Sequence, residues 1–303
     1  MKKVNFLPEL AGTGMAIIFG MSFMFSKMAI ENHSPIELIS FRFLLAFLVM
    51  SILVFLKVLK VDFKGKNMRN LFYLSLAQPI LYFLFESYGI KYSSSSQAGI
   101  MVALIPIFVA VFGFIFLSEK ASAAEVFFIL LSIFGVAFIA YAKASDASSS
   151  ALGIAYLMGA VLTASAFNII SRKISTQFTS VERTYSMMFF GAAAFNLINI
   201  FIHIKNQTIV EYFQPLNDPT FLIALLYLGI LSSIIAFFLV NYSLTYLEAS
   251  KASVFTNLAT VVSIITGVVF LNESFALKQL IGSAMILTGV FGTQYSGAKK
   301  IKV

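Results

Sequence analysis

Three polar residues, Gln78, Tyr82 and Glu86, recur at i, i+4 and i+8 inside a long apolar run, and Arg42 stands inside the run before it. On a helix this spacing forms a single stripe, and a polar stripe on an apolar helix is expected to face a cavity. A charge at the centre of a membrane helix costs about 2.5–3.5 kcal/mol, so such groups face protein interior or water rather than lipid. Arg42 sits about two helical turns, and Glu86 about one, below the same end of their runs, which puts an interhelical ion pair within reach. Such a pair either gates a passage, touches a substrate headgroup, or fixes helix packing. Lys27, nearer an end, is expected to snorkel to the headgroups.

Two prolines stand beside this chemistry. Pro79 directly follows Gln78 and cannot donate to the carbonyl of Ser75, and Pro106 does the same to Val102. Interrupted helices near mid-membrane point to a transporter binding site, although prolines there also serve as plain kinks. Further along, Ser253, Thr256, Asn257, Thr260, Ser263 and Gly267 share helical spacing. Small and hydroxyl residues of this kind line helix contacts. A primary amide in hydrocarbon, however, needs side-chain partners, which makes Asn257 and Asn168 second candidates for a cavity wall. Asn196, Asn199 and His203 form another stripe, near a span end, where headgroup contact is an adequate explanation.

Enzyme chemistry finds little support. The two histidines, His33 and His203, form no His-Glu-x-x-His pair, and the chain has no Cys for thiolate nucleophiles or metal ligands. Asp62, Asp146 and Asp218 all fall in loops, and no Gly-rich phosphate loop is present. No cofactor or metal is therefore expected. A membrane-embedded lipid-modifying enzyme, or a sensor or assembly subunit without flux, are the alternatives to transport. Both lack a supporting constellation or output domain.

The elements that must position these residues are helices in a bilayer. The 303 residues are 59% hydrophobic and 11% charged, with a mean hydropathy of +0.92, well outside the soluble range. Crossing about 30 Å of hydrocarbon takes roughly 20 residues. Windows of that kind fall at 10–28, 36–56, 70–89, 98–117, 124–142, 152–171, 185–203, 220–242, 251–271 and 277–295. The expected fold is an all-α integral membrane protein of ten transmembrane helices. The polar stretches 57–69 and 204–219 are too short for cores of their own. The Met-Lys-Lys start imitates a signal peptide but runs into the first span without a small-residue cleavage site.

The cations sort by side. Lys2, Lys3, Lys57, Lys60, Lys64, Lys66, Arg69, Lys120, Arg172, Lys173, Arg183, Lys251, Lys299, Lys300 and Lys302 fall on one side of the alternating spans. Lys27, Lys91, Lys143, Lys205 and Lys278 fall on the other. The positive-inside rule then places both termini in the cytoplasm and the chain in the cell membrane. The net charge of +8 thus reports topology, and no nucleic-acid partner is expected.

The chain also repeats itself. Residues 88–141 lie over 242–295 without a gap, through Tyr88/Tyr242, Gly113/Gly267, Glu119/Glu273, Gly135/Gly289 and Tyr141/Tyr295. Earlier parts match at another offset through Gly14/Gly159, Ser26/Ser171 and Glu37/Glu182. Five spans per half is odd, so the halves, 1–145 and 150–303, are expected to enter the membrane from opposite sides. An inverted repeat of this kind marks a secondary transporter.

The run GMSFMFSKMAIENHSPIELISFRFLLAFLV resembles the first two spans of EamA-type members of the drug/metabolite transporter superfamily. SQAGIMVALIPIFVAVFGFIFLSEKASAAEVFFILLSIFGVAFI resembles that family's fourth and fifth. SKASVFTNLATVVSIITGVVFLNESFALKQLIGSAMILTGVF repeats the pattern, with Thr260 where a Pro is usual. The resemblance covers nearly the whole chain. It implies two inverted five-helix repeats with both termini inside, and alternating-access movement of small metabolites, often export of amino acids or related compounds. It also implies helix-end, loop-structuring roles for Glu119 and Glu273. The resulting expectation is a cavity with Gln78, Tyr82, Asn168, Asn257 and Thr260 as polar contacts. Arg42 and Glu86 would serve as an outer gate, and Pro79 and Pro106 as helix interruptions. Its partners would be a small-molecule substrate and the lipid bilayer, with oligomeric state left open.

Overall fold

The computed structural model describes residues 6–30, 32–92, 101, 104–119, 121–143, 151–271 and 277–298, which are helical apart from short connections and contain no strand. In chain order the helices are α1 (Leu7–Ile30), α2 (Pro35–Phe55), α3 (69–92), α4 (Ile105–Leu117) and α5 (Ala123–Lys143). After them come α6 (Ala151–Ile174), α7 (Ser180–Lys205), α8 (Pro219–Tyr246), α9 (Ala249–Leu271) and α10 (Leu277–Ala298). Among the described residues, α1, α2, residues 152–174 of α6, α7 and α8 are long and apolar enough to cross a membrane. The chain is a multi-pass membrane protein.

The helix starts follow from local chemistry. Ser34 caps α2, its hydroxyl accepting from the Glu37 N–H while the Glu37 carboxylate accepts from the Ser34 N–H. Thr179 and Glu182 build the same reciprocal cap on α7. Each satisfies two backbone donors that a helix leaves open at its first turn. The matched Glu37 and Glu182 therefore occupy the same position, the third of the first turn, in corresponding helices.

Helices α3 and α8 are each built in three parts. In α3, Arg69–Ser75 and Tyr82–Tyr92 flank a π-helical stretch, Leu76–Leu81, where Gln78 is extended (φ −150°, ψ 124°). Pro79 lies inside it and supplies the reason, since its nitrogen has no hydrogen to donate. In α8, Pro219–Leu226 and Phe237–Tyr246 flank the π-helical Tyr227–Ala236. The second opening contains no Pro, but it covers Ser232 and Ser233, the repeat partners of Gln78 and Pro79. Pro106, by contrast, stands in the first turn of α4, where its missing donor costs nothing, and Val102 lies outside the described residues.

Packing follows a pattern in which each helix can be exchanged for the one five places later. Helix α1 packs on α8 and α9, α6 packs on α3 and α4, α2 packs on α7, and α5 packs on α10. The α5–α10 crossing is close because of two repeat-related glycines. A Cβ at Gly289 would lie 2.6 Å from Cβ of Ser132, and one at Gly135 would lie 2.7 Å from the Gly282 carbonyl oxygen. Most of the buried apolar residues form one cluster, which includes Phe43, Leu74, Val161, Phe167, Phe195 and Phe237. A second cluster joins Phe41 and Leu38 to Phe221, Leu228 and Tyr212. Tyr212 comes from the polar connection after α7, which folds into two 3₁₀ turns, Ile209–Glu211 and Gln214–Asn217, and sends this ring inward.

Candidate functional site

Arg42 is buried where α2 meets the opened segment of α8. Its Nε donates to Ser233 Oγ at 2.7 Å and its Nη2 to Ser232 Oγ at 2.8 Å. The guanidinium carbon lies 5.0 Å from the ring centre of Phe83 and 5.5 Å from that of Phe43, within cation–π range. The opening of α8 turns two adjacent hydroxyls toward one guanidinium.

Glu86 takes a hydroxyl partner instead of Arg42. Tyr82 OH donates to its Oε1 at 2.7 Å across one turn of α3. Glu86 and Arg42 are close enough to attract each other, yet no direct ion pair joins them. The Gln78 side chain, half-buried at the break in α3, makes no hydrogen bond to another described residue. The structure therefore brings Arg42, Tyr82 and Glu86 into one electrostatic neighbourhood with Gln78 on the same helix.

The other candidates sit elsewhere. Asn168 is buried and donates to the Ala164 carbonyl of its own helix at 2.8 Å. Asn257, 2% exposed, donates to Ser132 Oγ at 3.1 Å, so its amide is engaged by α5. The Thr260 side chain lies outside the described residues.

Two sequence expectations need correction. Asn196 and Asn199 do not reach headgroups, because both donate into α2, to the Ser40 carbonyl at 3.0 Å and to Ser40 Oγ at 3.1 Å. His203 on the same stripe is buried too, its Nδ1 2.9 Å from Thr208 Oγ1. The polar stripe is a helix-packing seam. The second correction concerns the start of the seventh span, expected at 185, which left Arg183 outside it. Arg183 is 0% exposed, inside the first turns of α7. Its Nη1 donates to the carbonyl and hydroxyl of Ser171 at 2.8 and 2.6 Å, and its Nη2 to the Asn241 carbonyl at 2.6 Å and to Thr245 Oγ1. Those acceptors include backbone near the C-terminal end of α8, where the helix dipole favours a cation. The Thr179/Glu182 capping pair was the available signal, since it starts the helix before Arg183 and not after it.

A cavity of about 760 Å³ opens at the ends of α4, α6 and α8, lined by Glu119, Arg172, Ser175, Thr176, Thr245 and Glu248. Both Glu119 oxygens accept from the Ala249 N–H, at 3.1 and 3.0 Å, so this carboxylate caps α9 across the halves. Burial raises the Glu119 carboxyl above its ordinary value, opposed by that N–H and by Arg172, whose Nε is 3.7 Å away. The Arg172 Nη1 holds the carbonyls of Leu244 and Thr245 at 3.3 and 2.5 Å. Two arginines thus clamp one end of α8 while its middle is open.

Comparison with known proteins fits this geometry. The EamA-like transporter family matches twice, over residues 7–141 and 151–295. The chain is similar to the uncharacterized transporter YcxC of Bacillus subtilis, 37% identical over 288 residues covering 95% of this chain and 92% of the relative. An uncharacterized transporter of Archaeoglobus fulgidus is 26% identical over 90% of this chain and 93% of its own length. A probable amino-acid metabolite efflux pump of Escherichia coli is 22% identical over 95% and 96%. A solved crystal structure shares the fold, with a TM-score of 0.78 and 16% identity over 95% of this chain and 98% of the other. Matched by one transporter family in both of its halves, this chain belongs to the EamA-like transporter family.

Proposed function

We propose that the protein is a secondary transporter that exports a small metabolite, an amino acid or a related compound, across the cell membrane by alternating access. The observation that carries this reading is the pair of helix openings at repeat-related positions of α3 and α8, one bearing the Gln78 amide, which has no hydrogen bond among the described residues, and the other holding Arg42. An opened helix offers backbone and polar side chains to a solute, and it bends more readily than a closed one. The E. coli relative named as a probable amino-acid metabolite efflux pump supports the substrate class and the direction.

In this reading ten helices span the bilayer as two inverted halves, 1–145 and 150–303, with both termini cytoplasmic. Gln78 and Tyr82 form the first polar contacts for the substrate, and Asn168, Asn257 and Thr260 supply further ones. Arg42 and Glu86 act as a gate through their hydroxyl partners, and Pro79 and Pro106 mark the ends of rigid helix. Substrate that separates Tyr82 from Glu86, or Ser232 and Ser233 from Arg42, frees one charge to seek the other.

Flux in proteoliposomes tests this. Purified protein is assayed for exchange of each radiolabelled proteinogenic amino acid, with Glu86→Gln and Arg42→Ala beside the parent. Each variant is expected to slow exchange about tenfold, the equivalent of about 1.4 kcal/mol. Parent-like rates in both would remove the gate, and no exchange of any amino acid by the parent would remove the substrate class.

A further inference from the structure

The capping carboxylates of α2 and α7 each do a second job. Glu182, at the head of α7, holds Lys66 from the connection after α2, with both oxygens 2.7 Å from Nζ. Glu37, at the head of α2, faces His203 in the last turn of α7, with Oε1 3.8 Å from Nε2. The two helices pack on each other, and the two glutamates are repeat partners. The same carboxylate therefore meets a basic side chain at either end of the α2–α7 pair. One base is a lysine and the other a histidine.

The histidine end is doubled. His33, in the connection before α2, has Nε2 3.1 Å from Oδ2 of Asp218, the N-cap of α8. These are the only two histidines in the chain. Each pairs a base from one half with a carboxylate from the other, and in opposite senses. We infer that the α2–α7 pair carries an ion-pair latch at each end, and that the His203–Glu37 and His33–Asp218 end tightens on acidification while the Lys66–Glu182 end does not respond.

Histidine is the side chain that ordinarily gains its charge between pH 8 and 5, while carboxylates and lysine keep theirs. Asp218 is held below the usual carboxylate range, first by the Thr220 N–H, so it stays negative throughout. The groups facing His203 are Glu37 from α2 and, from the connection after α7, Thr208 and the Tyr212 ring; His33 faces Asp218 and the Phe221 ring. Lys205 and Glu211, the nearest charges to His203 along the chain, are exposed, and Glu31, two residues before His33, lies outside the described residues. A protonated imidazole adds a full charge to its contact with the carboxylate, whereas a neutral one offers at most a single N–H donor. The latch is thus stronger when the imidazoles are charged and weaker when they are neutral.

The consequence for flux rests on the transporter reading, but the latch can be measured without it. Because the chain has no Cys, spin labels at Asn32→Cys and Asn206→Cys report the distance across this end in nanodiscs. Between pH 8 and pH 5 the shorter-distance population of the parent is expected to rise about threefold or more. The His33→Gln/His203→Gln double variant should stay unchanged, and His203→Lys should show the acid distribution at both pH values. A parent insensitive to pH, or a double variant that responds like the parent, overturns the latch. Unchanged distances with exchange intact discard the latch alone. A pH-dependent distance with no exchange of any amino acid discards the transporter reading alone.

Discussion

Arg183 separates what a residue's type implies from what its position decides. Counted in the sequence with the cations of one side, it is fully buried at the head of α7, its guanidinium held by neutral oxygens of Ser171, Asn241 and Thr245. Removing it takes charged donors from the Ser171, Asn241 and Thr245 oxygens, and a buried polar group left short of a partner costs about 1–3 kcal/mol. Arg183→Met should therefore lower the unfolding temperature in detergent by many degrees. Arg172→Met, at a half-buried position, should lower it by much less. Equal shifts would mean that Arg183 contributes only packing. Glu86 and Arg42 were legible in the sequence because a charge in an apolar run is conspicuous. Tyr82, the partner of Glu86, stood on the same stripe, but the partners of Arg42 were not legible, because nothing set Ser232 and Ser233 beside it until the geometry of α8 did.

At the scale of the element, α3 and α8 show how similar shapes arise from different local causes. Pro79 forces the opening in α3 by removing a donor, whereas α8 opens over a stretch with no proline at all. The break in α3 could be read from Gln78-Pro79, but the break in α8 could not, since serines in a membrane helix usually bond back to their own carbonyls. There, both hydroxyl oxygens also accept from Arg42. Pro79→Ala restores the missing donor to α3. It should fold and bind detergent like the parent yet slow exchange about fivefold or more, because opening and closing of helices sets many transport and turnover rates. Unchanged exchange would show that the break in α3 is a fixed bend. Pro106 and the amides of α7 show the reverse, a conspicuous residue with a local use, at a helix start and along a packing seam.

For the molecule as a whole, alternation of charge along the chain was the most legible property, and it makes a prediction independent of any single contact. In the cysteine-free chain, Gln207→Cys in intact cells should react with a membrane-impermeant maleimide, and Lys64→Cys should react only after the membrane is opened. The opposite pattern would turn the molecule over and place the histidine end toward the cytoplasm. The internal repeat was legible as matched residues, yet its consequence for packing was not. The matched glycines Gly135 and Gly289 meet in one crossing, which pairs the last helix of the first half with the last helix of the chain. That crossing has a cost in time. The two glycines lie 154 residues apart in sequence, and at about 5–20 residues per second a ribosome needs roughly ten to thirty seconds to cover that stretch. Until α10 is made, the Gly135 face of α5 lacks the partner it has in the folded chain, so the nascent protein offers that face to lipid or to a neighbouring chain for the whole interval.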